Sequence, residues 1–402
     1  MTDLTHHTQS FFHILGTALL LALGGLSVVG QLYLPLPLLS SLKTVYPDMV
    51  YPEAWTVSAF GLMYAVGFLF FGPLSDAFGR KRVLLTSLFL LAFISLMVAW
   101  AEDAVLLLLA RAFQGFVAAG FPPAALAYIS ASFPERYRSA AVSAMAFSFL
   151  SAVALAQVFV LLLATQDFRL PEMLLAVFYA VLGVSLWRLL AADSSRQKRE
   201  PYAVFSAFKS LPNILLSRSL SIYYMVSVTV LLVFVGFYLL LAQSDIEWSA
   251  LALRLWTLPF LLSCFAVPKA ASRWGHHRVL VGAFLFGSVA LGMAWAGYAL
   301  SVVVLTVFAL CLLSSAVALM VPALIGVMAA HSEHERRGSA VALYTFVLFC
   351  GASIAPLGVS WLLHHMAATL ILMILTAIFC TCFFMLWSWQ NHDSKAFLTH
   401  RR

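Results

Sequence analysis

The chain has 402 residues, of which 63% are hydrophobic and 10% are charged, and its mean hydropathy is +0.98. Soluble domains carry about 25% charged residues, so this composition excludes a protein whose main solvent is water. The net charge of +7 does not indicate nucleic-acid binding, because Lys and Arg form short clusters between apolar runs instead of one basic face.

Twelve apolar runs along the chain are long enough to cross a membrane, which takes about 20 residues for about 30 Å of hydrocarbon. Six predicted spans lie near residues 11–34, 54–73, 83–101, 104–128, 139–164 and 171–190. Six more lie near residues 219–243, 248–268, 278–298, 301–328, 339–363 and 367–389. The sequence therefore predicts an all-α membrane protein with two six-helix bundles.

Loop charges test this count independently, since Lys and Arg near the ends of spans favour the cytoplasmic side. If both termini lie inside, the outer ends hold Lys43, Arg169 and Arg254. The inner loops hold the larger clusters, such as Arg80 to Arg82 and the basic residues between 188 and 218. This asymmetry predicts a multi-pass protein of the bacterial inner membrane with cytoplasmic termini.

Two short motifs recur about 200 residues apart. "FGRKRVLL" at 78–85 returns as "WGHHRVLV" at 274–281, and "ERYRSA" at 135–140 returns as "ERRGSA" at 335–340. Each pair falls in equivalent loops of the two halves. This is the pattern of a duplicated six-helix unit.

The repeat predicts three parts of the chain. Residues 1–190 form the first bundle, and residues 219–402 form the second bundle with a cytoplasmic tail. Between them, 191–218 is a charged cytoplasmic linker with a short segment that lies along the membrane surface. We expect a monomer in the lipid bilayer.

The loop after the second span carries "GPLSDAFGRKR". An acid at a helix end accepts charge-assisted hydrogen bonds from helix N-terminal amides or from Arg, and Asp76 is placed to do this. Gly72 is expected to permit close helix approach, and Gly79 a tight turn. With Arg80 and Arg82 these residues are predicted to form a conformational latch, which holds the bundles together in one state and releases them in another.

This loop resembles the signature of the major facilitator superfamily, G-x-L-x-D-x-x-G-R-[KR]-[KR]. "ARAFQGF" in the fourth span, with Arg111 and Gln114, resembles the R-x-x-Q-G motif of the drug:proton antiporter branch of that family. The resemblance implies a twelve-helix transporter that works by alternating access, with a small-molecule substrate and protons as a possible coupling ion. The fifth span lacks the G-P-x-x-G-G motif of antiporters, although "GASIAPLG" in the eleventh is a reduced echo.

The acidic residues fall near the predicted ends of the spans, Glu53 and Glu172 at outer ends among them. No carboxylate is therefore expected near the membrane midplane, and the first span offers only Gln31 and Tyr33 where related antiporters carry an acid. Any proton dependence is predicted to be weak, or to involve Asp76, Glu53 or the substrate.

Arg111 is the most informative single residue, because an arginine within a span costs several kcal/mol unless it is hydrated or paired. Gln114 shares its helix face. Arg111 either binds carbonyl groups of the first span and holds the bundle together, or faces the transport cavity and binds an anionic substrate group. Because no acid is expected nearby, the sequence favours an anionic substrate over a cationic one.

Other polar residues within spans are weaker candidates for substrate contact, namely Gln31, Tyr64, Gln157, Tyr238 and Tyr344. Single polar residues on apolar helices more often make helix-packing contacts. Arg254 either extends to the outer interface or faces the cavity from the eighth span. We expect no metal, no cofactor and no catalytic residue.

The sequence thus favours a secondary active exporter of a small amphipathic or anionic molecule, such as a drug-like compound or a siderophore-like metabolite. It has no phosphate-binding loop that would make it a primary pump. An uptake transporter or facilitator is the main alternative. A non-transporting sensor with the same fold is disfavoured by the intact "GPLSDAFGRKR" loop.

Overall fold

The computed structural model of the chain describes residues 11–163, 167–191, 215, 217, 220–242, 250–332 and 337–399. Throughout these ranges the regular structure is helical and contains no strand. Twelve of the helices are long and apolar enough to cross a membrane. The predicted all-α membrane fold is confirmed.

The first six spans are Phe11–Gly30, Pro52–Phe78, Arg80–Ala99, Ala104–Ser132, Glu135–Leu162 and Arg169–Leu189. The second six are Ser221–Ala242, Leu251–Trp274, His276–Ala299, Val303–His331, Arg337–His365 and Ala368–Thr399. A 3₁₀ turn (Leu36–Leu38) and a short helix (Leu39–Val45) lie between the first and second spans. The predicted linker 191–218 lies almost wholly outside the described residues, so the three-part division of the chain remains a prediction.

Two spans are interrupted for reasons visible in the sequence. The fourth consists of Ala104–Ala118 and Phe121–Ser132, and prolines follow Phe121 at the start of its second helix. The eighth contains a 3₁₀ stretch, Leu262–Ala266, between two prolines in the flanking helices. Proline lacks the amide hydrogen that an α-helix needs in its interior, so the hydrogen-bond ladder breaks at such points.

The duplicated loop motif has the same backbone geometry in both halves. Gly79, after the second span, has φ 97° and ψ 137°, and Gly275, after the eighth, has φ 83° and ψ 149°. This region of the Ramachandran map is essentially restricted to glycine. The tight turn predicted at Gly79 is confirmed, and the repeat seen in the sequence is also a repeat of structure.

One end of the bundle is formed where residues 31–51 connect the first two spans, and we call it the distal end. Here Tyr46 Oη donates to the carbonyl of Ala101 at 2.7 Å, and the amide of Phe168 donates to Ser41 Oγ at 3.0 Å. The two halves meet where the second span packs on the eleventh and the fifth packs on the eighth.

Candidate functional site

A buried ion pair lies inside the first bundle. Arg111 of the fourth span and Glu172 of the sixth are 1% and 2% exposed, and Arg111 Nη1 lies 3.4 Å from Glu172 Oε1. Both residues follow the distal starts of their spans. The low exposure means that neither charge is hydrated by bulk water, so each depends on its protein partners.

Three further side chains surround this ion pair. Gln114 Oε1 accepts from Arg111 Nη1 at 2.5 Å, while its Nε2 donates to Glu172 Oε2 at 3.0 Å. Gln31 repeats this arrangement, with its Oε1 3.2 Å from Arg111 Nη1 and its Nε2 3.2 Å from Glu172 Oε2. Ser95 Oγ accepts from Gln114 Nε2 at 2.8 Å. The two glutamines thus bridge the opposite charges, and we call these five residues the polar cluster.

The remaining donors of Arg111 bind backbone. Its Nη2 donates to the carbonyl of Gln31 at 2.8 Å and its Nε to the carbonyl of Thr56 at 3.3 Å, and its guanidinium lies 4.6 Å above the ring of Phe60. Gln31 directly follows the first span, and Thr56 belongs to the second. Arg111 therefore joins spans of the first bundle together, as its structural interpretation predicts, and its described partners all lie in that half.

The expectation that Arg111 has no nearby carboxylate is wrong, because Glu172 neutralises it. Apolar-run counting places Glu172 at the boundary of the sixth span and hides its burial. The signal that was missed is how far Arg111 and Glu172 each lie from the start of their spans. Arg111 is seven residues into its span and Glu172 three into its own, from the same end. At about 1.5 Å per residue they differ by about 6 Å in depth, which an arginine side chain can bridge.

A narrow pocket lies beside the polar cluster. Arg111, Glu172 and Thr56 form its polar wall, and apolar side chains of the distal loop and neighbouring spans, including Leu38, Leu107 and Phe168, complete the lining. The pocket reaches both members of the ion pair. It is too small for a drug-sized ligand, which needs roughly 300 Å³ or more.

A polar contact outside the polar cluster joins the two halves. Arg254 of the eighth span donates from Nε to Gln157 Oε1 of the fifth at 2.9 Å. Arg254 is 5% exposed and Gln157 1% exposed, and Gln157 Nε2 donates to the carbonyl of Val153. Extension of Arg254 to the outer interface is therefore not observed, and its side chain instead lies at the junction of the halves.

The other candidate tyrosines have separate surroundings. Tyr238 Oη donates to Thr257 Oγ1 at 2.9 Å, one turn after Arg254, a contact between the seventh and eighth spans within the second half. Tyr64 packs edge-to-face with Phe349 of the eleventh span, with ring centroids 4.7 Å apart, and its buried hydroxyl has no hydrogen-bond partner among the described residues. Tyr344 Oη donates to the carbonyl of Val321 at 3.3 Å, a helix-packing contact within the second half.

Residues 21–356 match the sequence profile of the Major Facilitator Superfamily. The chain belongs to this superfamily. It is a multi-pass membrane transporter and not an enzyme. The inward-open xylose transporter XylE from E. coli has the same fold, with a TM-score of 0.73 and 14% identity over 93% of this chain and 96% of that one.

Two curated relatives of this superfamily member match shorter segments. A putative proline/betaine transporter of Staphylococcus aureus is 31% identical over 148 residues, which are 32% of this chain and 31% of the relative. The puromycin resistance protein pur8 of Streptomyces alboniger is 40% identical over 81 residues, which are 20% of this chain and 16% of the relative. Each match thus spans a third or less of the relative.

The residues of the superfamily signature loop meet only some of the expectations drawn from the sequence. The backbone of Asp76 lies in the second span, but its side chain lies outside the described part of the structure. A Cβ atom added to Gly72 would meet nothing within 4 Å, so the expectation that Gly72 permits close helix approach is wrong. Lys81, which sequence reasoning missed, donates from Nζ to the carbonyls of Trp187 and Leu190 at the end of the sixth span.

Proposed function

We propose that this transporter is a secondary active exporter of small organic anions and that Glu172 carries the coupling proton. The observation that supports the proposal is the buried Arg111–Glu172 ion pair. Glu172 as a carboxylate accepts hydrogen bonds from Arg111, Gln31 and Gln114. Protonation turns one of its oxygens into a donor, so those contacts must rearrange.

This rearrangement offers a physical means of coupling. The contacts of Glu172 join the sixth span to the fourth and to the end of the first. A buried group whose charge changes alters the free energy of each packing arrangement by a different amount, so proton binding favours one arrangement over the other. Both Arg111 and Glu172 line the narrow pocket beside the ion pair, so this pocket is the path that we propose for the proton to reach Glu172 from the distal end.

Export is supported by sequence similarity to pur8, whose name describes resistance to puromycin, and by the "ARAFQGF" motif of the fourth span. A carboxylate group on the substrate is supported by similarity to the proline/betaine transporter, since proline and betaine are zwitterions that each carry one. A drug-like or siderophore-like molecule fits this class. Uptake is the alternative direction, and a non-transporting sensor is the alternative of another class.

The location that we propose is a bacterial inner membrane, with both termini in the cytoplasm. It is supported by the clusters of Lys and Arg in the loops that are predicted to be cytoplasmic. In this orientation the distal end faces outward. A single chain contains both bundles, so we propose that the transporter acts as a monomer.

The test uses inside-out membrane vesicles that contain the full-length protein. Uptake of puromycin, proline, glycine betaine and a set of aromatic carboxylates is measured with and without an acid interior. Export in the cell corresponds to uptake by these vesicles, and it should increase several-fold when the interior is acid. If the inside-out vesicles took up no substrate with or without an acid interior, but right-side-out vesicles did, the protein would be an importer. No transport in either orientation would support the sensor.

Glu172→Gln tests the coupling step, because the amide resembles a permanently protonated carboxyl group. We expect proton-driven accumulation to disappear while exchange of labelled for unlabelled substrate, which needs no net proton movement, persists. Glu102→Gln is the matched control, since Glu102 is an exposed acid at the same end of the bundle. Loss of both accumulation and exchange in Glu172→Gln would make the ion pair purely structural.

A further inference from the structure

Tyr64 carries a buried polar group that the polar cluster does not use. The side chain is 0% exposed, and its hydroxyl has no hydrogen-bond partner among the described residues. A buried hydroxyl without a partner is costly and uncommon in folded proteins. Tyr64 lies near the middle of the second span, where that span packs on the eleventh span of the other half.

The ring of Tyr64 contacts aromatic rings of both halves. Within the first half it packs edge-to-face with Phe68, with centroids 4.9 Å apart, and it stacks with Phe60 at 5.6 Å. From the second half, Phe349 packs edge-to-face with Tyr64 at 4.7 Å and lies parallel to Phe68 at 5.7 Å. Phe349 therefore occupies a position that two rings of the opposite half define.

These two rings are held in place within the first bundle. Phe60, Tyr64 and Phe68 follow one another at four-residue steps, so they share one face of the second span. At one end of this row, Phe60 lies 4.6 Å below the guanidinium of Arg111, which the polar cluster fixes. The geometry of Tyr64 and Phe68 is thus set by their own half, and Phe349 is the ring that comes from outside it.

Phe349 must leave this position during alternating access. Nearer the distal end, Ser58 Oγ of the second span donates to the carbonyl of Ser353 of the eleventh at 2.5 Å, so the halves are together there. When they separate at this end, Phe349 moves with the eleventh span. The rings of Tyr64 and Phe68 then lose their partner from the second half.

An aromatic ring of a bound molecule can take up the contacts that Phe349 leaves. Aromatic pairs in edge-to-face and offset geometry gain more than their buried area alone provides, because the ring quadrupoles attract each other. A saturated ring of the same size covers the apolar surface without this gain. An oxygen on the bound molecule can also accept from the Tyr64 hydroxyl, which lacks an acceptor in this conformation.

We infer that the transported anion carries an aromatic ring, that this ring replaces Phe349 against Tyr64 and Phe68 when the halves separate, and that the Tyr64 hydroxyl donates to an oxygen of the same molecule. The inference rests on the proposed transport of small organic anions and narrows their class to aromatic ones.

The test measures equilibrium binding to the purified full-length protein in detergent, without a proton gradient. Its melting temperature is recorded over a range of concentrations of benzoate, phenylacetate and 3-phenylpropionate, and of the cyclohexane analogue of each. The two members of a pair share the carboxylate and the chain length. At least one aromatic acid should bind about threefold to tenfold more tightly than its saturated analogue. The saturated acids are at least as hydrophobic, so apolar partitioning would not give this order.

Two substitutions of Tyr64 separate its ring from its hydroxyl. Tyr64→Phe should weaken the preferred acid by about fivefold, because one hydrogen bond is lost, and should keep the preference for the aromatic member. Tyr64→Leu should abolish that preference. Phe68→Leu should reduce it, and supplies the test of the ring position if Tyr64→Leu does not fold.

Phe379→Leu is the matched control. Phe379 is 0% exposed and packs on Phe284 within the second half, with ring centroids 5.2 Å apart. This substitution removes a buried ring away from the junction, so it should lower the melting temperature and keep the preference for the aromatic acid.

Three results would overturn the inference: no preference for any aromatic acid in the unmodified protein, a preference that survives both Tyr64→Leu and Phe68→Leu, or an unchanged affinity in Tyr64→Phe. Failure of the proposed proton-coupled export is distinguishable, because it appears as absent accumulation in vesicles. The preference for aromatic acids in detergent would then remain, and it would still depend on Tyr64.

Discussion

Gly61 of the second span faces Ser353 of the eleventh across the junction of the halves. A Cβ atom at Gly61 would lie 2.4 Å from Ser353 Oγ and 3.0 Å from Leu32 Cδ1, closer than side chains tolerate. Nearby, Ser58 Oγ donates to the carbonyl of Ser353 at 2.5 Å. The absence of a side chain at Gly61 therefore lets the halves meet in this conformation.

Gly61→Ala should shift the transporter away from this conformation. Overpacking a close contact costs about 1 to 3 kcal/mol, and every 1.4 kcal/mol is a tenfold change in an equilibrium. Spin labels at Asp48 and Ala367, in a background without native cysteines, report the distance between the halves at the distal end. We expect the population with a longer distance to increase about tenfold.

Gly358→Ala is the control for this experiment, because a Cβ atom there would meet nothing within 4 Å. Adding Ser353→Ala to Gly61→Ala removes the nearest clashing oxygen and should move the distance distribution back towards the original, while the close contact with Leu32 Cδ1 remains. If Gly61→Ala and Gly358→Ala gave the same distances, close approach at Gly61 would not stabilise the contact between the halves.

The two loop glycines provide a prediction about stability. Gly79→Ala and Gly275→Ala place a side chain on a backbone with φ 97° and 83°, which should cost about 1 to 3 kcal/mol each. Gly72→Ala is the control, because Gly72 lies in the span that ends directly before Gly79 and an added methyl group there would meet nothing within 4 Å. It should leave stability unchanged or slightly higher. Thermal unfolding in detergent measures all three. If Gly79→Ala and Gly275→Ala melted at the same temperature as Gly72→Ala, the two turns would not require glycine.

The latch prediction concerns Asp76. Asp76→Asn should greatly reduce transport while expression and melting temperature stay nearly intact, because it removes a charge-assisted contact of one conformational state. Arg80→Gln and Arg82→Gln should have milder effects, since exposed charge pairs contribute about 0 to 1 kcal/mol.

Ser272→Asn is the control for Asp76→Asn, because Ser272 occupies the corresponding position in the second half. It should transport normally if the latch is confined to the first-half loop. Normal turnover in Asp76→Asn would reject the latch.

The fold followed from the sequence because its determinants are local in the chain. An apolar run of about 20 residues reports a span wherever its neighbours lie, and Gly79 and Gly275 report their turns through a backbone conformation that other residues avoid. These signals need no knowledge of which spans touch. The twelve helices and the repeated turn were therefore predictable.

The sites were harder to predict because burial depends on neighbours that are distant in the sequence. Glu172 reads as a boundary acid until Arg111, 61 residues earlier, is known to lie beside it. Gln157 and Arg254 are 97 residues apart and belong to different halves. Gly72 reads as a packing glycine, although it faces open space. In each case the residue type marked the position as unusual, but the sequence did not show what surrounds that residue in the fold.

The final prediction separates structure from substrate recognition at Arg111. If Arg111 holds the first bundle together, Arg111→Ala should lower stability by about 3 to 5 kcal/mol, because it leaves the charge of Glu172 buried without its partner. Arg111→Lys should also lose stability, since one ammonium group cannot replace the donors that bind Gln31 and Thr56. Melting temperature in detergent measures both.

The double substitution Arg111→Met with Glu172→Leu supplies the matched comparison. Replacing a buried ion pair with apolar residues of similar volume is often neutral or stabilising, so this variant should melt near the original temperature although Arg111→Ala does not. It should also keep binding a carboxylate-bearing substrate in detergent, because Arg111 makes no substrate contact in the structural interpretation. If the double variant folded but lost that binding, Arg111 would be the anion-binding residue.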